Sequence, residues 1–293
     1  MKNVAVFGGE GFLGSYLTAE LARRGYAVVS LDIKKTDFRP DVPFVKADIR
    51  DARQISAIFR EHAFDVVYNL AGFASLEKAV HHPREVMELN VMGNIHILEA
   101  ARQTSRLERF VYASSVYALS NKGSFYGISK LASEKVVEEY HARFGLPFTI
   151  LRYGSVYSER PFENNYIYNL IRRAIETGRI DHQGDGEEVR EYIHAADAAR
   201  LSVDVIENEQ FSGKHLILTG IERLRRKDLF NMINEILGGN IQINITNDGY
   251  KEHYKYTPFS FEPRISERLT PNPYIDMGQG LLNCIKNAYN LKK

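Results

Sequence analysis

The chain has 293 residues and a single cysteine, Cys284. One thiol forms no intramolecular disulfide, so no disulfide framework holds this fold, and a reducing compartment suits it. An excess of either charge is also missing. The 38 basic and 37 acidic side chains leave a net charge of +1, too little to draw the chain to nucleic acid or membrane. No apolar run approaches the roughly 18 residues of a membrane span. The first predicted strand opens at Asn3, which leaves no room for a signal peptide. A soluble cytoplasmic protein is expected. No G-x-S-x-G occurs, and Ser114 and Ser115 have no obvious histidine partner, so a hydrolase is disfavoured. The histidines are scattered; His81 and His82 are the one close pair and lack a partner at metal-ligand spacing, so no metal is expected. His194 reads as a packed or capping residue. No repeat or low-complexity tract is present.

What is present is an ordinary globular composition, 44% apolar and 26% charged. The length suits one large domain or two intimate lobes. In the first half, short apolar runs alternate with helical patterns. Strands are predicted at 4–7, 27–32, 44–48, 65–72, 109–115 and 147–154. Helices fall between them, near 52–62, from Pro83 to Gln103 and over 126–143. Leu13, Leu17 and Leu21 recur every four residues on the first helix, which Gly25 closes. Such alternation predicts a Rossmann-type α/β fold with a doubly wound parallel sheet of about seven strands. After about 155 the rhythm changes. Helices near 164–178 and 227–237, short strands around 190–193 and 214–218, and a last helix near 276–290 suggest a smaller α/β substrate lobe. The expected division is 1–155 for the nucleotide-binding domain and 156–293 for the lobe, with about 190–210 returning to the first. The tail from Gly249 to Pro273 reads as loop-rich and packed on the body. The basic cluster "RLRRK" (223–227) reads as a solvated face.

"VAVFGGEGFLGSYL" has the order strand, glycine turn, helix. Gly9, Gly11 and Gly14 satisfy G-x-G-x-x-G, and Gly8, Gly11 and Gly14 satisfy G-x-x-G-x-x-G. Either spacing lets a pyrophosphate approach backbone N–H groups at a helix start. Asp32 closes the next strand. A carboxylate there accepts hydrogen bonds from the adenosine ribose hydroxyls and repels a 2′-phosphate, which favours NAD over NADP. Lys34 and Lys35 stand nearby and soften that preference.

Tyr126 and Lys130 are four residues apart on a predicted helix and share a face. A free phenol has a pKa of about 10, too high for a good base at neutral pH. A nearby ammonium and a positive nicotinamide favour the phenolate. Tyr126 then takes a proton from a substrate hydroxyl while hydride leaves for the cofactor. Ser115 ends a strand at the carboxyl edge of the sheet and is placed to hydrogen-bond the same substrate oxygen.

These pieces, with "ADIRD" (47–51), "NLAG" (69–72), "NVMGNIHILEAA" (90–101), "YGISK" (126–130), "LRYGSVYSERP" (151–161) and "REYIHAADAA" (190–199), resemble the extended short-chain dehydrogenase/reductases. Within them, they resemble the NAD-dependent sugar-nucleotide epimerase/dehydratase family of UDP-glucose 4-epimerase-like proteins. The resemblance is strongest over 3–200. It implies NAD as cofactor, held by Gly8, Gly11, Phe12, Leu13, Gly14, Asp32, Ile33, Lys34, Asp48, Ile49, Leu70, Ala71, Gly72, Asn90, Tyr126, Lys130 and Tyr153. It implies a nucleotide-diphosphate sugar as substrate, met by Ser75, Ser115, Ser155, Arg190 and Arg264. Arg190 matches an arginine that typically binds the diphosphate. It also implies a homodimer through the helices at 83–103 and 126–143.

Departures from the family pattern narrow the reaction. Its 4,6-dehydratases follow the serine or threonine with an Asp-Glu pair; here Val116 and Tyr117 follow Ser115. Decarboxylating relatives keep a glutamate in this region, and none lies between Ser115 and Tyr126. The family's "LRxxN" asparagine is Ser155. The serine-to-tyrosine connection is half the usual length, with a tight turn expected at "NKGS" (121–124), so the sugar pocket is either more open or closed by the aromatic tail. A 4-epimerase is the expected activity. The alternatives are an NAD(P)H-dependent 4-keto-sugar-nucleotide reductase and a non-catalytic NAD-binding sensor.

Overall fold

The computed structural model describes residues 1–38, 41–120, 122–246, 254–255, 267–270 and 275–291. The strands in chain order are β1 (Asn3–Phe7), β2 (Ala27–Asp32), β3 (Phe44–Lys46), β4 (Val66–Asn69), β5 (Arg109–Ser115), β6 (Phe148–Tyr153), β7 (Ser155–Tyr157), β8 (Arg179–Gln183), β9 (Val189–His194), β10 (Lys214–Leu218), β11 (Arg223–Arg225), β12 (Gln242–Thr246) and β13 (Glu267–Leu269). The helices are α1 (Phe12–Arg23), α2 (Ala52–Glu61), α3 (Leu76–His81), α4 (Pro83–Met87), α5 (Gly93–Ala101), α6 (Ser124–Phe144), α7 (Tyr166–Thr177), α8 (Ala195–Glu207), α9 (Arg226–Ile236) and α10 (Met277–Asn290). No helix among the described residues is long and apolar enough to cross a membrane.

The main sheet is parallel throughout, in the order β13-β10-β6-β5-β4-β1-β2-β3. Chain order reverses between β1 and β4, and the carboxyl ends beside that point are where open α/β sheets bind ligands. The central strands are buried on both faces, as their unbroken apolar runs require. Val4, Val6, Tyr68, Val111 and Leu151 face α1 and α8; Ala5, Phe7, Val67, Tyr112 and Ile150 face α2, α5 and α6.

Three differences from the sequence reading bear on the main sheet and the site. The strand at 214–218, expected with the small lobe, pairs with β6 in the main sheet. An eighth strand, β13, joins that edge from within the tail. The helix predicted from Pro83 to Gln103 is α4 and α5 joined by a π-helical turn, Glu88–Met92. That turn carries Asn90, and such turns concentrate at functional sites.

Beyond β6, β7 pairs with β9 and β9 with β11, and β8 pairs with β12. Tyr157, Tyr168, Ile171, Phe230, Ile233 and Leu281 build a separate apolar core there. Cys284 is buried in it, and burial pushes its thiol up to about 12. It is a packing residue, since the reactive form of cysteine is the thiolate.

Candidate active site

β1 leads directly into the glycine turn. Gly8 has φ +79°, a conformation open to glycine at little cost. Its N–H donates to the Leu31 carbonyl at 2.8 Å, and the Gly11 N–H donates to the Gly8 carbonyl at 3.1 Å. A Cβ on Gly14 would lie 2.0 Å from the Gly8 oxygen, and one on Gly8 would lie 2.7 Å from the Ala71 nitrogen. A Cβ on Gly9 would likewise lie 2.5 Å from Ser30 Oγ, so both spacings are built into the turn, with Gly11 capping α1. The bare turn keeps side chains out of the space between the start of α1 and the end of β4. That is the cradle a pyrophosphate needs, so these residues fit a dinucleotide.

Asp32 ends β2 beside the turn and accepts hydrogen bonds from the N–H groups of Glu10 at 3.2 Å and Ile33 at 2.8 Å. Burial raises its pKa. Glu10 was passed over in the sequence, yet it is 5% exposed. Its carboxylate accepts from Ser30 Oγ at 2.5 Å and from Thr36 N and Oγ1 at 2.8 and 2.7 Å. Two carboxylates thus flank the end of β2, where Asp32 alone was expected. A charged residue inside a glycine loop is the signal that could have drawn attention to it.

Ser115, Tyr126 and Lys130 are brought together. Ser115 is the last residue of β5 and its Oγ accepts the Tyr117 N–H at 3.3 Å, capping a short 3₁₀ turn over Val116–Leu119. α6 then begins after Gly123 at φ +98°. A Cβ on Gly127 would sit 3.0 Å from the Tyr117 carbonyl, so glycine lets the helix close directly onto that turn. This compact route brings Tyr126 close enough to Ser115 for the serine hydroxyl to act on the phenol. Lys130 Nζ donates to the Ala113 carbonyl at 2.8 Å and lies 5.9 Å from the Tyr126 ring centre.

The pKa shifts refine the sequence argument. Burial raises the Tyr126 phenol above its ordinary value, and the hydrogen bond with Ser115 pulls it down. Burial lowers Lys130 to about 8, partly offset by the Glu134 carboxylate. The phenolate expected from the Tyr–Lys spacing is therefore not supplied by the protein's own charges, because burial opposes both charged forms.

The remaining predicted residues fall into distinct environments. Asn90 is buried; its Oδ1 accepts the Phe73 N–H at 2.6 Å and its Nδ2 donates to Ser129 Oγ at 2.8 Å. It ties the loop after β4 (Leu70, Ala71, Gly72) to α6, and a Cβ on Gly72 would come within 2.4 Å of it. Asp48 is held by Arg50, with Oδ2 to Nη2 at 2.6 Å, and this keeps its carboxyl below the usual range. Ile49 is buried against Gly93. Phe12 is buried and Leu13 packs on the same core, whereas Ile33 and Lys34 are exposed. The Tyr153 hydroxyl is hydrogen-bonded to Ser202 Oγ at 2.7 Å, and Ser75 Oγ caps α3 by accepting the Lys78 N–H. Ser155 pairs with Tyr192 across β7 and β9. Arg190 is buried, with Cζ 4.1 Å from the Tyr254 ring centre. Tyr254 also packs on Tyr117 at 4.8 Å, so a tail aromatic does border the site over the short connection. Arg264 lies outside the described residues. His194 caps α8 through Nδ1 and meets Glu159 at 3.0 Å.

The "RLRRK" cluster divides, correcting the solvated-face reading. Arg223 and Arg225 are exposed and pair with Glu191 and Asp228. Arg226 turns inward and stacks on Tyr166 at 4.0 Å. The physical reason is the change of element: Arg223 and Arg225 project from one side of β11, whereas Arg226 lies past its end as the first residue of α9.

A parallel doubly wound sheet with a bare glycine turn after its first strand defines a Rossmann-type dinucleotide-binding protein. Comparison with known proteins makes this specific. The sequence model of the "NAD dependent epimerase/dehydratase family" matches residues 4–218, and the chain belongs to that family. The cofactor is accordingly NAD. A putative UDP-glucose 4-epimerase of Methanocaldococcus jannaschii is 27% identical over 97% of this chain and 98% of its own. A dTDP-glucose 4,6-dehydratase of Xanthomonas campestris is 29% identical over 67% of this chain and 65% of its own. The structure of UDP-glucose 4-epimerase from Thermotoga maritima, solved with UDP-glucose, superposes with a TM-score of 0.85 at 22% identity, covering 99% of this chain and 100% of that one. At that identity the likeness shows the shared fold.

Proposed function

We propose that this protein is an NAD-dependent 4-epimerase of a nucleotide-diphosphate sugar. The observation that carries this reading is the placing of Tyr126 on α6 one turn before Lys130, whose Nζ lies 5.9 Å from its ring centre, with Ser115 at the end of β5 and a connection without a carboxylate between them. Val116 and Tyr117 stand where water loss would need an acid and a base, so the machinery supports proton transfer at one hydroxyl and not elimination.

In this reading Tyr126 takes the proton from the sugar's 4-hydroxyl and later returns it. Ser115 holds the oxygen as it becomes a carbonyl. Lys130 is anchored on Ala113 beside the phenol, and the positive charge of a bound nicotinamide would add to its own in favouring the phenolate. The glycine turn and Asp32 would hold NAD, which when bound would supply a reversible hydride acceptor for C4. Arg190 holds the diphosphate. The paired carboxylates of Asp32 and Glu10 disfavour a 2′-phosphorylated cofactor, which counts against the reductase alternative. Retention of the whole trio counts against a non-catalytic sensor.

The test is incubation with UDP-hexoses and catalytic NAD. C4 epimers interconvert if the reading holds; conversion that requires stoichiometric reduced nicotinamide overturns it. The reading includes a homodimer through α4–α6, where Met92, Ile128 and Leu131 are apolar and 46%, 56% and 41% exposed. A monomer mass in light scattering would refute that part.

A further inference from the structure

Around the β9–β11 hairpin lie two guanidinium groups that the described residues leave without an ion pair. Arg190, on β9, is 2% exposed, and its Nη1 donates to the Val189 carbonyl at 2.8 Å. Arg226, the first residue of α9, has its Nη1 out of solvent with no hydrogen-bond partner among the described residues. Their backbones are close: Leu224, two residues before Arg226, pairs with Arg190, and the Arg226 N–H donates to the Glu188 carbonyl at 3.0 Å.

Tyr192 stands two residues beyond Arg190 on β9, on the same side of the strand. Tyr254 covers Arg190 and Tyr166 covers Arg226. Tyr117 lies 6.2 Å from the Tyr126 ring. The Tyr192 hydroxyl is also buried without a partner among the described residues. Aromatic faces attract a cation, but they satisfy none of its N–H donors. Two like charges in such a place repel each other, and Glu188 acts on the Arg226 charge without forming an ion pair with it among the described residues. Buried donors left open in a native protein call for a partner. A dianion answers both guanidiniums at once, and their planar forks suit phosphoryl oxygens.

We propose that Arg226 is a second arm of the substrate's anion site and clamps the diphosphate together with Arg190. The proposal rests on the nucleotide-sugar reading above. It draws the second cation from the start of α9, whereas the resemblance pointed to Arg264 in the tail.

Calorimetric titration of the NAD-loaded protein with UDP, UMP and uridine tests it. Arg226→Met should weaken UDP by about ten- to a hundredfold, UMP less, and uridine by no more than about twofold. Arg226→Lys, which keeps the charge but not the fork, should fall between. Thermal unfolding of Arg226→Met without nucleotide should occur no earlier than in the wild type, because an unanswered charge has been removed. Equal losses for UDP and uridine, or a lowered unfolding temperature together with a loss of NAD binding, would mean a packing role and overturn the proposal. So would unchanged UDP affinity. If the wild type itself fails to bind UDP, the nucleotide-sugar reading fails; if it binds UDP and Arg226→Met binds equally well, only the role of Arg226 fails.

Discussion

Glu134 on α6 and Arg152 on β6 meet in the interior, with Oε2 to Nη2 at 2.6 Å and Oε1 to Nε at 2.9 Å. Ser114, the neighbour of Ser115, donates to the same carboxylate. The pair bolts α6 to β5 and β6 one helical turn beyond Lys130, and so sets the height of Tyr126 and Lys130 over the sheet edge. Glu134→Ala should destabilise the protein by about 3–5 kcal/mol, the usual cost of stranding one buried partner. The Glu134 carboxyl is held down at about 2, burial opposing and Arg152 prevailing. A lowered carboxyl pKa stabilises the fold above the unfolded value of about 4.3, and that contribution is lost as pH falls through about 2. Denaturant unfolding between those limits should show a steeper acid loss in the wild type than in Glu134→Gln.

Removing the Tyr126 hydroxyl should stop proton transfer and leave the cofactor cradle intact. Tyr126→Phe should lower turnover by about 10²- to 10⁴-fold, with binding of reduced nicotinamide, followed by its fluorescence, unchanged. Turnover within tenfold of the wild type would remove Tyr126 from the mechanism.

Two carboxylates, not one, guard the end of β2. Asp32→Ser alone should still bind NADH at least about tenfold more tightly than NADPH, because Glu10 remains and like charge placed against a phosphate is penalised. Adding Glu10→Gln should close that gap. If Asp32→Ser by itself equalises the two cofactors, Glu10 has no part in selection.

Lys130 offers a test of burial. Its folded-state pKa of about 8 lies below the unfolded value of about 10.4. The unfolded chain binds the extra proton between these limits, so wild-type stability rises with pH from about 8 to about 10.4. Lys130→Met should lack that increment. A stability–pH slope shared by both proteins in this window would show that Lys130 is not desolvated.

Much of the site was legible because its chemistry is local. The glycine spacing, Asp32 at a strand end and the Tyr126–Lys130 helix spacing are each set within a few residues, and strand–helix alternation located the first six strands along the chain. Edges and partners were harder to read. β13 pairs only because β10 exposes a free edge, and β10 itself was placed in the wrong lobe because a lone five-residue strand carries no address. The reading of 223–227 as one solvated face failed because composition does not report which residues turn inward. Glu10 escaped because its importance lies in contacts with Ser30 and Thr36, about 20 and 26 residues away.

From the sequence alone came a Rossmann-type fold, a dinucleotide and a Ser–Tyr–Lys trio, because each depends on backbone periodicity or on near neighbours. The tertiary structure decided the rest. It turned Arg226 inward beside Arg190, laid Tyr254 over the short connection and set Glu134 under α6. It also showed burial holding the Tyr126 phenol up and the Lys130 ammonium down. Burial and counter-charge arise only when distant segments pack together, and no spacing along the chain encodes them.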